Sequence, residues 1–288
     1  MGAVAKIEML PGVSPAVYGE ADFAAVREIV HADAGIVLPP AKAMLVYSRL
    51  APLVRNSGCA TFSVYVERIA RDEVERRKAV CALTTNHTFF YREAHHFEHF
   101  AATVRPGLIA AAGRGKPVRL WSAGCSSGEE TWSLVMTLLG TDRVAGRALA
   151  AKDILVLASD LATHAIEAAR AARYPAEALE AVPAELRRLW TNARDGTAEI
   201  GSEAKSIVRL RHLNLLESWP IKTLFDVIFC RNVMIYFDQP TKERLVARFA
   251  ERLVPGGHLY IGHSERVTGP AAELLEPVGP TIYRKVTA

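Results

Sequence analysis

The 288-residue sequence predicts an α/β protein in which an all-helical region precedes a sheet of mostly parallel strands. Three observations carry that expectation. Up to about residue 100 the apolar residues recur at helical spacing only. From residue 118 onward, short apolar runs alternate with amphipathic stretches, as in strands joined by crossover helices and buried on both faces. One stretch, Arg119 to Leu139, reads RLWSAGCSSGEETWSLVMTLL: an apolar strand, a turn of small residues, then a helix led by two carboxylates.

Composition sets the bounds. Half of the residues are hydrophobic and 23% are charged, an ordinary globular balance that can bury a sizeable core. The length fits two domains, or one with an appendage. No run of about 18 apolar residues occurs, and the N-terminus lacks a basic-then-apolar leader pattern. A soluble, cytoplasmic protein is therefore expected. The four cysteines (Cys59, Cys81, Cys125, Cys230) have no CxxC spacing, so they read as free thiols rather than a zinc site or a disulfide framework. The net charge of +4 is too mild to argue for nucleic acid.

In chain order, residues 1–19 carry Pro11, Gly12, Pro15 and Gly19 and read as an irregular lead-in. Phe23, Val26, Ile29 and Val30 mark a first helix that Gly35 stops. A second follows Pro39-Pro40, with apolar Met44, Leu45, Leu50 and Leu53 and basic Lys42, Arg49 and Arg55. Lys42 and Arg49 share a face, and Arg55 lies near it. A solvated face and a basic surface for an acidic partner helix both fit these charges. Phe62 to Ala82 reads as a third helix. Three successive aromatics and two histidines then fall in TTNHTFFYREAHHF. Adjacent histidines point in different directions on a helix and no third ligand is near, so packing or hydrogen bonding is expected of them, and no metal. Thr103 to Ala112 reads as a linking helix.

The glycine turn at 122–128 lets a ligand approach the backbone. A phosphate cradle would leave the helix N-terminus bare and positive, whereas Glu129 and Glu130 stand there. Two carboxylates suit a cationic, hydroxyl-bearing ligand, which points to S-adenosylmethionine (SAM) rather than to NAD or ATP; they also complement the helix dipole. ILVLASD is a second strand ending in Asp160, an acid placed to bind ribose hydroxyls or to cap the next helix. His164 to Arg173 reads as a helix. Residues 192–213, with a turn at Asp195-Gly196 and β-like runs at 199–200 and 207–211, read as a small antiparallel insertion. FDVIFC is a buried strand leading to Arg231-Asn232. A helix with Leu245, Phe249 and Leu253 and the strand HLYIGH follow, and Thr281-Ile282-Tyr283 reads as an edge strand.

The stretches TTNHTFFYREAHHF, RLWSAGCSSGEETWSL, LASD, FDVIFCRNVMIYFD and LVPGGHLYIGHSE together resemble the chemotaxis receptor methyltransferases, the CheR family, over nearly the whole chain. That resemblance implies a helical N-terminal domain over residues 1–100. It implies a SAM-binding, Rossmann-like methyltransferase domain over 101–288 with a small β-subdomain at about 192–213. The implied activity is methyl transfer from SAM to glutamate carboxylates on the cytoplasmic helices of chemoreceptors, leaving S-adenosylhomocysteine. Carried over motif by motif, cofactor contacts fall on Asn86, Thr88, Arg92, Glu130, Asp160, Asn214, Leu215, Arg231 and Asn232. Arg92 and Tyr236 are expected closest to the transferred methyl and the incoming carboxylate. A monomer is expected, meeting chemoreceptors through the basic helix with Lys42, Arg49 and Arg55, with no nucleic acid and no membrane insertion. Gly124 and Cys125 stand where alanines are common in the family. The insertion reads about three residues short of members that dock a receptor's C-terminal peptide, so independence from that tether is expected. A SAM-binding module without turnover, or a methyltransferase for another substrate, are the competing readings.

Overall fold

The computed structural model describes residues 17–286, so the lead-in expected before Val17 lies outside them. The chain divides into two compact units. One comprises the described residues up to Thr85 with Tyr236–Asp238; the other comprises Asn86–Ile235 and the chain from Gln239 onward.

The first unit is helical: α1 (Glu20–Ala34), α2 (Ala43–Asn56), α3 (Phe62–Arg71) and α4 (Glu73–Leu83). Phe23, Val26, Val30, Val46, Leu50, Phe62, Tyr65, Ile69 and Val80 are buried within it. Gly35 ends α1 in the left-handed region (φ 65°), as expected of a stop signal. The single helix expected over 62–82 is broken at Asp72, whose carboxylate accepts from Val74 N (3.0 Å) and Glu75 N (3.1 Å) and so starts α4. The buried stripe of α2 is Ala43, Val46, Leu50, Ala51 and Val54. Met44, expected in that stripe, is exposed. Lys42 and Arg55 are exposed as well. Arg49 differs: its Nη1 donates to the carbonyls of Leu83 (3.0 Å) and Thr84 (2.7 Å), satisfying orphan carbonyls at the end of α4.

The second unit opens with α5 (Ala94–His99), continues without a break through a π-helical turn (Phe100–Val104), and ends in α6 (Arg105–Gly113). The alternating part then runs β1 (Val118–Ala123), α7 (Glu129–Leu139), α8 (Arg143–Ala150), β2 (Ile154–Asp160) and α9 (Thr163–Ala171). Next come β3 (Arg173–Pro175), α10 (Ala184–Trp190), β4 (Thr191–Arg194), β5 (Thr197–Ile200), α11 (Ser202–Ser206) and β6 (Val208–His212). The chain closes with β7 (Phe225–Cys230), α12 (Gln239–Arg252), β8 (Leu253–Ile261), β9 (Leu275–Gly279) and β10 (Ile282–Lys285). The main sheet has the order β6-β2-β1-β7-β8-β10-β9. Its first five strands are parallel, and β10 runs antiparallel to β8 and β9.

Alternation along the strands explains the layers. On one face Phe229 stacks on Phe97 (5.8 Å between centroids) and on Tyr260 (4.2 Å). On the other, Trp121 meets Trp219 and Phe249; Phe225, which also meets Trp121, lies where the register of β7 on β8 shifts and the alternation is interrupted. Because Phe97 and Phe100 bury against the sheet, Asn86–His99 packs with this unit rather than with a helical domain extending to residue 100.

Two strand assignments differ from expectation. Residues 208–212 do not belong to the small insertion; β6 pairs in parallel with β2 from Val208↔Val156 to His212↔Asp160. The separate antiparallel sheet is β3-β5-β4, spanning 173–200, with Asp195 (φ 50°) and Gly196 (φ 72°) turning the hairpin. The short alternating run at 207–211 carries no mark of its partner, so only tertiary packing assigns it. Likewise the 282–285 strand is internal and β9 is the edge.

Gly146 on α8 packs against Trp190, whose indole also donates to the Gly140 carbonyl at 2.7 Å. An added Cβ would lie 2.5 Å from Trp190 Cζ2. Gly146→Ala is expected to lower stability by about 1–3 kcal/mol despite the better helix former, read as a reduced urea midpoint.

Candidate active site

Parallel registry brings the carboxyl ends of β1, β2, β6 and β7 to one edge of the sheet, where open α/β folds bind ligands. The glycine loop after β1 is fastened there by β2. Gly124 N and Cys125 N donate to the Ser159 carbonyl at 2.8 and 2.9 Å. Ser126 N donates to Asp160 Oδ2 at 2.8 Å, while Asp160 Oδ1 accepts from Ala162 N at 2.8 Å. Asp160 therefore fastens the loop and the turn into α9 without capping that helix, whose N-cap is Ala162. Burial raises its carboxyl above the usual range, against those backbone donors. Gly124 takes φ 81° and a Cβ there would collide with Val233, so this loop passes close against the β7 end.

Both acids at the start of α7 are held. Ser127 Oγ donates to Glu129 Oε2 and Ser122 Oγ to Glu130 Oε1, each at 2.7 Å. Burial raises both carboxyls. Behind Glu130 lies Arg231, whose side chain is 1% exposed. Its Nη1 is 3.6 Å from Glu130 Oε2 and its Nη2 is 3.5 Å from Glu93 Oε2. Nη2 also donates to the Arg92 carbonyl, and the guanidinium covers the Phe97 ring. Asn232, with φ 59°, donates from Nδ2 to Glu93 (3.3 Å) and from its backbone N to Glu265 (3.2 Å). Glu265 also accepts from Gly262 N (2.6 Å) and Ile235 N (3.2 Å), which joins the loops after β7 and β8.

The loop before α5 supplies the remaining groups. The Asn86 carbonyl accepts from Ser126 Oγ (2.9 Å), and its Nδ2 lies 3.0 Å from His164 Nε2. Thr88 is half-buried, and Arg92 lies over the Phe89 ring with Nη1 donating to the His87 carbonyl at 3.1 Å. Past β6, Asn214 Oδ1 accepts from Leu216 N (3.0 Å), and the Leu215 carbonyl accepts from Trp219 Nε1 (3.1 Å) and Arg248 Nη1 (2.7 Å). Tyr236 groups with the helical unit, where its hydroxyl donates to the Thr85 carbonyl at 3.5 Å.

Asn86, Glu130, Asp160 and Arg231 are thus tied into one network with the glycine loop and the strand ends. Glu93 and Glu265 belong to the same network and were missed as site residues. Glu93 and Glu265 stood inside the TTNHTFFYRE and GHSE motifs, and an acid at the end of an apolar run was the available signal. His96 is fully buried, with Nε2 2.9 Å from Thr281 Oγ1, so its role is packing and hydrogen bonding.

The arrangement fits SAM: small residues at the loop, two acids in the first turn of α7, and a buried acid at the end of β2. These features define a SAM-dependent methyltransferase. The model of the CheR methyltransferase SAM-binding domain matches residues 86–283, and that of the CheR all-α domain matches 21–84. A probable chemotaxis protein methyltransferase of Rhizobium etli is 42% identical over 265 residues, 90% of this chain and 97% of that protein. Chemotaxis protein methyltransferase 2 of Pseudomonas aeruginosa is 40% identical over 92% of this chain and 93% of its own length. The Escherichia coli chemotaxis protein methyltransferase is 37% identical over 85% and 84%. The chain belongs to the CheR family and is a SAM-dependent methyltransferase of chemotaxis.

Burial, with Arg231 and His95 adding to it, lowers the His96 pKa from 6.5 to about 3, so the folded protein holds this ring neutral. The resulting stabilisation is complete above pH 6.5 and is lost as pH falls toward 3, by up to about 1.4 kcal/mol per pH unit. His258, lowered to about 4 mainly by burial, acts in the same sense. Melting temperatures measured between pH 7.5 and 5 should fall more steeply for the wild type than for His96→Gln.

Proposed function

We propose that this methyltransferase esterifies glutamate side chains on the cytoplasmic helices of chemoreceptors. Membership of the CheR family supports the substrate class. The observation that carries the site reading is the loop of Asn86 to Arg92 joined through Ser126 to Asp160 and through Arg231 to Glu130. Asn86, Thr88, Arg92, Glu130, Asp160, Asn214, Leu215, Arg231 and Asn232 hold the cofactor in this reading.

A glutamate with an unperturbed pKa of about 4.3 is ionised at pH 7, so no general base is required. SAM, when bound, supplies a methyl group on a sulfonium: the carboxylate oxygen forms the new C–O bond as the S–CH3 bond breaks, and sulfur keeps the electron pair as a neutral thioether. The chain's contribution is positioning, which is worth up to roughly 7–11 kcal/mol when the reacting atoms are held in line. Arg92 orients the incoming carboxylate more than it activates it, since a guanidinium also stabilises the ionised ground state. Tyr236 hydrogen-bonds a carboxylate oxygen or shapes its path. The helical unit meets the receptor through exposed Lys42 and Arg55, with Arg49 holding α2 to the end of α4. A monomer working in the cytoplasm fits this role. Among the described residues no helix is long and apolar enough to cross a membrane.

With methyl-labelled SAM and a cytoplasmic receptor fragment, label should enter the receptor and be released as methanol in mild alkali. Arg92→Ala should reduce turnover by about 10²-fold or more, as loss of an orienting group does. Label that survives alkali would exclude carboxyl methylation, and SAM binding without any label across cognate receptors would favour a binding-only module.

The β3-β5-β4 sheet is proposed to work without a receptor-tail tether. Calorimetry with a C-terminal receptor peptide should show no binding at micromolar concentration; micromolar affinity would overturn this.

A further inference from the structure

Past β6 the chain turns through Asn214 to Trp219 before it reaches β7. Leu213 N donates to the Asp160 carbonyl at 3.0 Å, which sets Asn214 and Leu215 beside the end of β2. The peptide unit between Leu215 and Leu216 is held at both ends. Its N–H donates to Asn214 Oδ1 at 3.0 Å, and its carbonyl accepts from Arg248 Nη1 at 2.7 Å and from Trp219 Nε1 at 3.1 Å. Arg248 Nη2 donates to the Glu217 carbonyl. The guanidinium lies over the Trp219 ring, 3.8 Å from its centroid, and that ring stacks on Phe249 and meets Trp121 edge-on. One side chain of α12 therefore joins the turn to the aromatic layer of the sheet.

The space beside this strut is open. A cleft of about 390 Å³ lies there, lined by Leu216 and Glu217 from the turn and by Thr241, Arg244 and Leu245 from α12. A planar guanidinium serves two carbonyls and a ring face at once, which a lysine ammonium cannot do. Fixing the turn in this way narrows the backbone conformations it samples, so less freedom is lost when a ligand settles on it. We propose that Arg248, stacked on Trp219, is a positioning residue that presets the Asn214–Leu215 turn for the adenosine end of the cofactor. It works on the ribose side of the crevice, where SAM and S-adenosylhomocysteine are the same. It therefore sets the affinity for both alike and leaves the transfer step alone. This rests on Asn214, Leu215 and Asp160 being cofactor contacts.

The test is calorimetric binding of SAM and of S-adenosylhomocysteine to the full chain and to Arg248→Lys, Trp219→Phe and Asn214→Ala. Each variant is also melted and assayed for methylation of a cytoplasmic receptor fragment. Arg248→Lys should weaken both ligands about 10-fold, by factors that agree within about twofold. The KM for SAM should rise by the same factor, while kcat and the KM for receptor stay within about twofold of wild type. Trp219→Phe, which keeps a ring under the guanidinium but removes the indole donor, should weaken both ligands about threefold. A lower melting temperature with unchanged affinities would mean a merely structural role and overturn the proposal, as would unequal loss for the two ligands. Unchanged affinities in Trp219→Phe overturn it whether or not Arg248→Lys folds. If Asn214→Ala leaves both affinities intact, the placing of this turn at the cofactor fails and takes the proposal with it. If Asn214→Ala weakens both and Arg248→Lys does not, only the role of Arg248 fails.

Discussion

A full positive charge on Arg231 sits at the end of the central strand β7 with almost no access to water. Taking an ion out of water costs several kcal/mol unless partners surround it. The sheet unit meets that constraint by drawing two further segments to one point. Glu130 comes from the start of α7, Glu93 from the loop before α5, and the Arg92 carbonyl from the same loop. Losing any one partner would leave buried guanidinium N–H groups with fewer acceptors, so the segments are committed to each other. The loop before α5 is thereby carried to the strand ends, although it lies far from them in sequence.

Asp160 plays the matching part on the β2 side. Its two oxygens accept from Ser126 and Ala162, which fixes both the glycine loop and the entry to α9. Glu265 does the same for the loops after β7 and β8. These two buried carboxylates therefore bind main chain to main chain around the crevice, each satisfying N–H groups that the strand ends would otherwise leave without partners. Rigid backbone at these turns is what a reaction governed by alignment requires. The loops carry the chemistry, and the aromatic layers formed by Phe97, Phe229 and Tyr260 on one face and Trp121, Phe249 and Trp219 on the other keep them in place.

Much of this was legible in advance because it depends on local signals. Gly124 and Gly128 announced a turn that only positive φ allows, and both adopt it. The apolar runs at 118–123, 154–160 and 225–230 became neighbouring strands because doubly buried parallel strands must be apolar throughout. Asp160 was identifiable from its place at a strand end. Its work in holding Ser126 was not, since a hydrogen bond between residues 34 apart leaves no periodic trace.

The sequence by itself determined the fold class, the helical unit, the glycine turn and the family, because periodicity, turn residues and contiguous motifs are all written along the chain. Tertiary structure decided what depends on partners distant in sequence. It placed residues 208–212 beside β2 and residues 282–285 inside the sheet, because strand neighbours follow from burial and hydrogen bonding. It turned Arg49 from a surface charge into a cap for α4. It also made Glu93 and Glu130 the two counter-ions of one buried arginine, an arrangement set by the cost of desolvating charge rather than by any spacing in the chain.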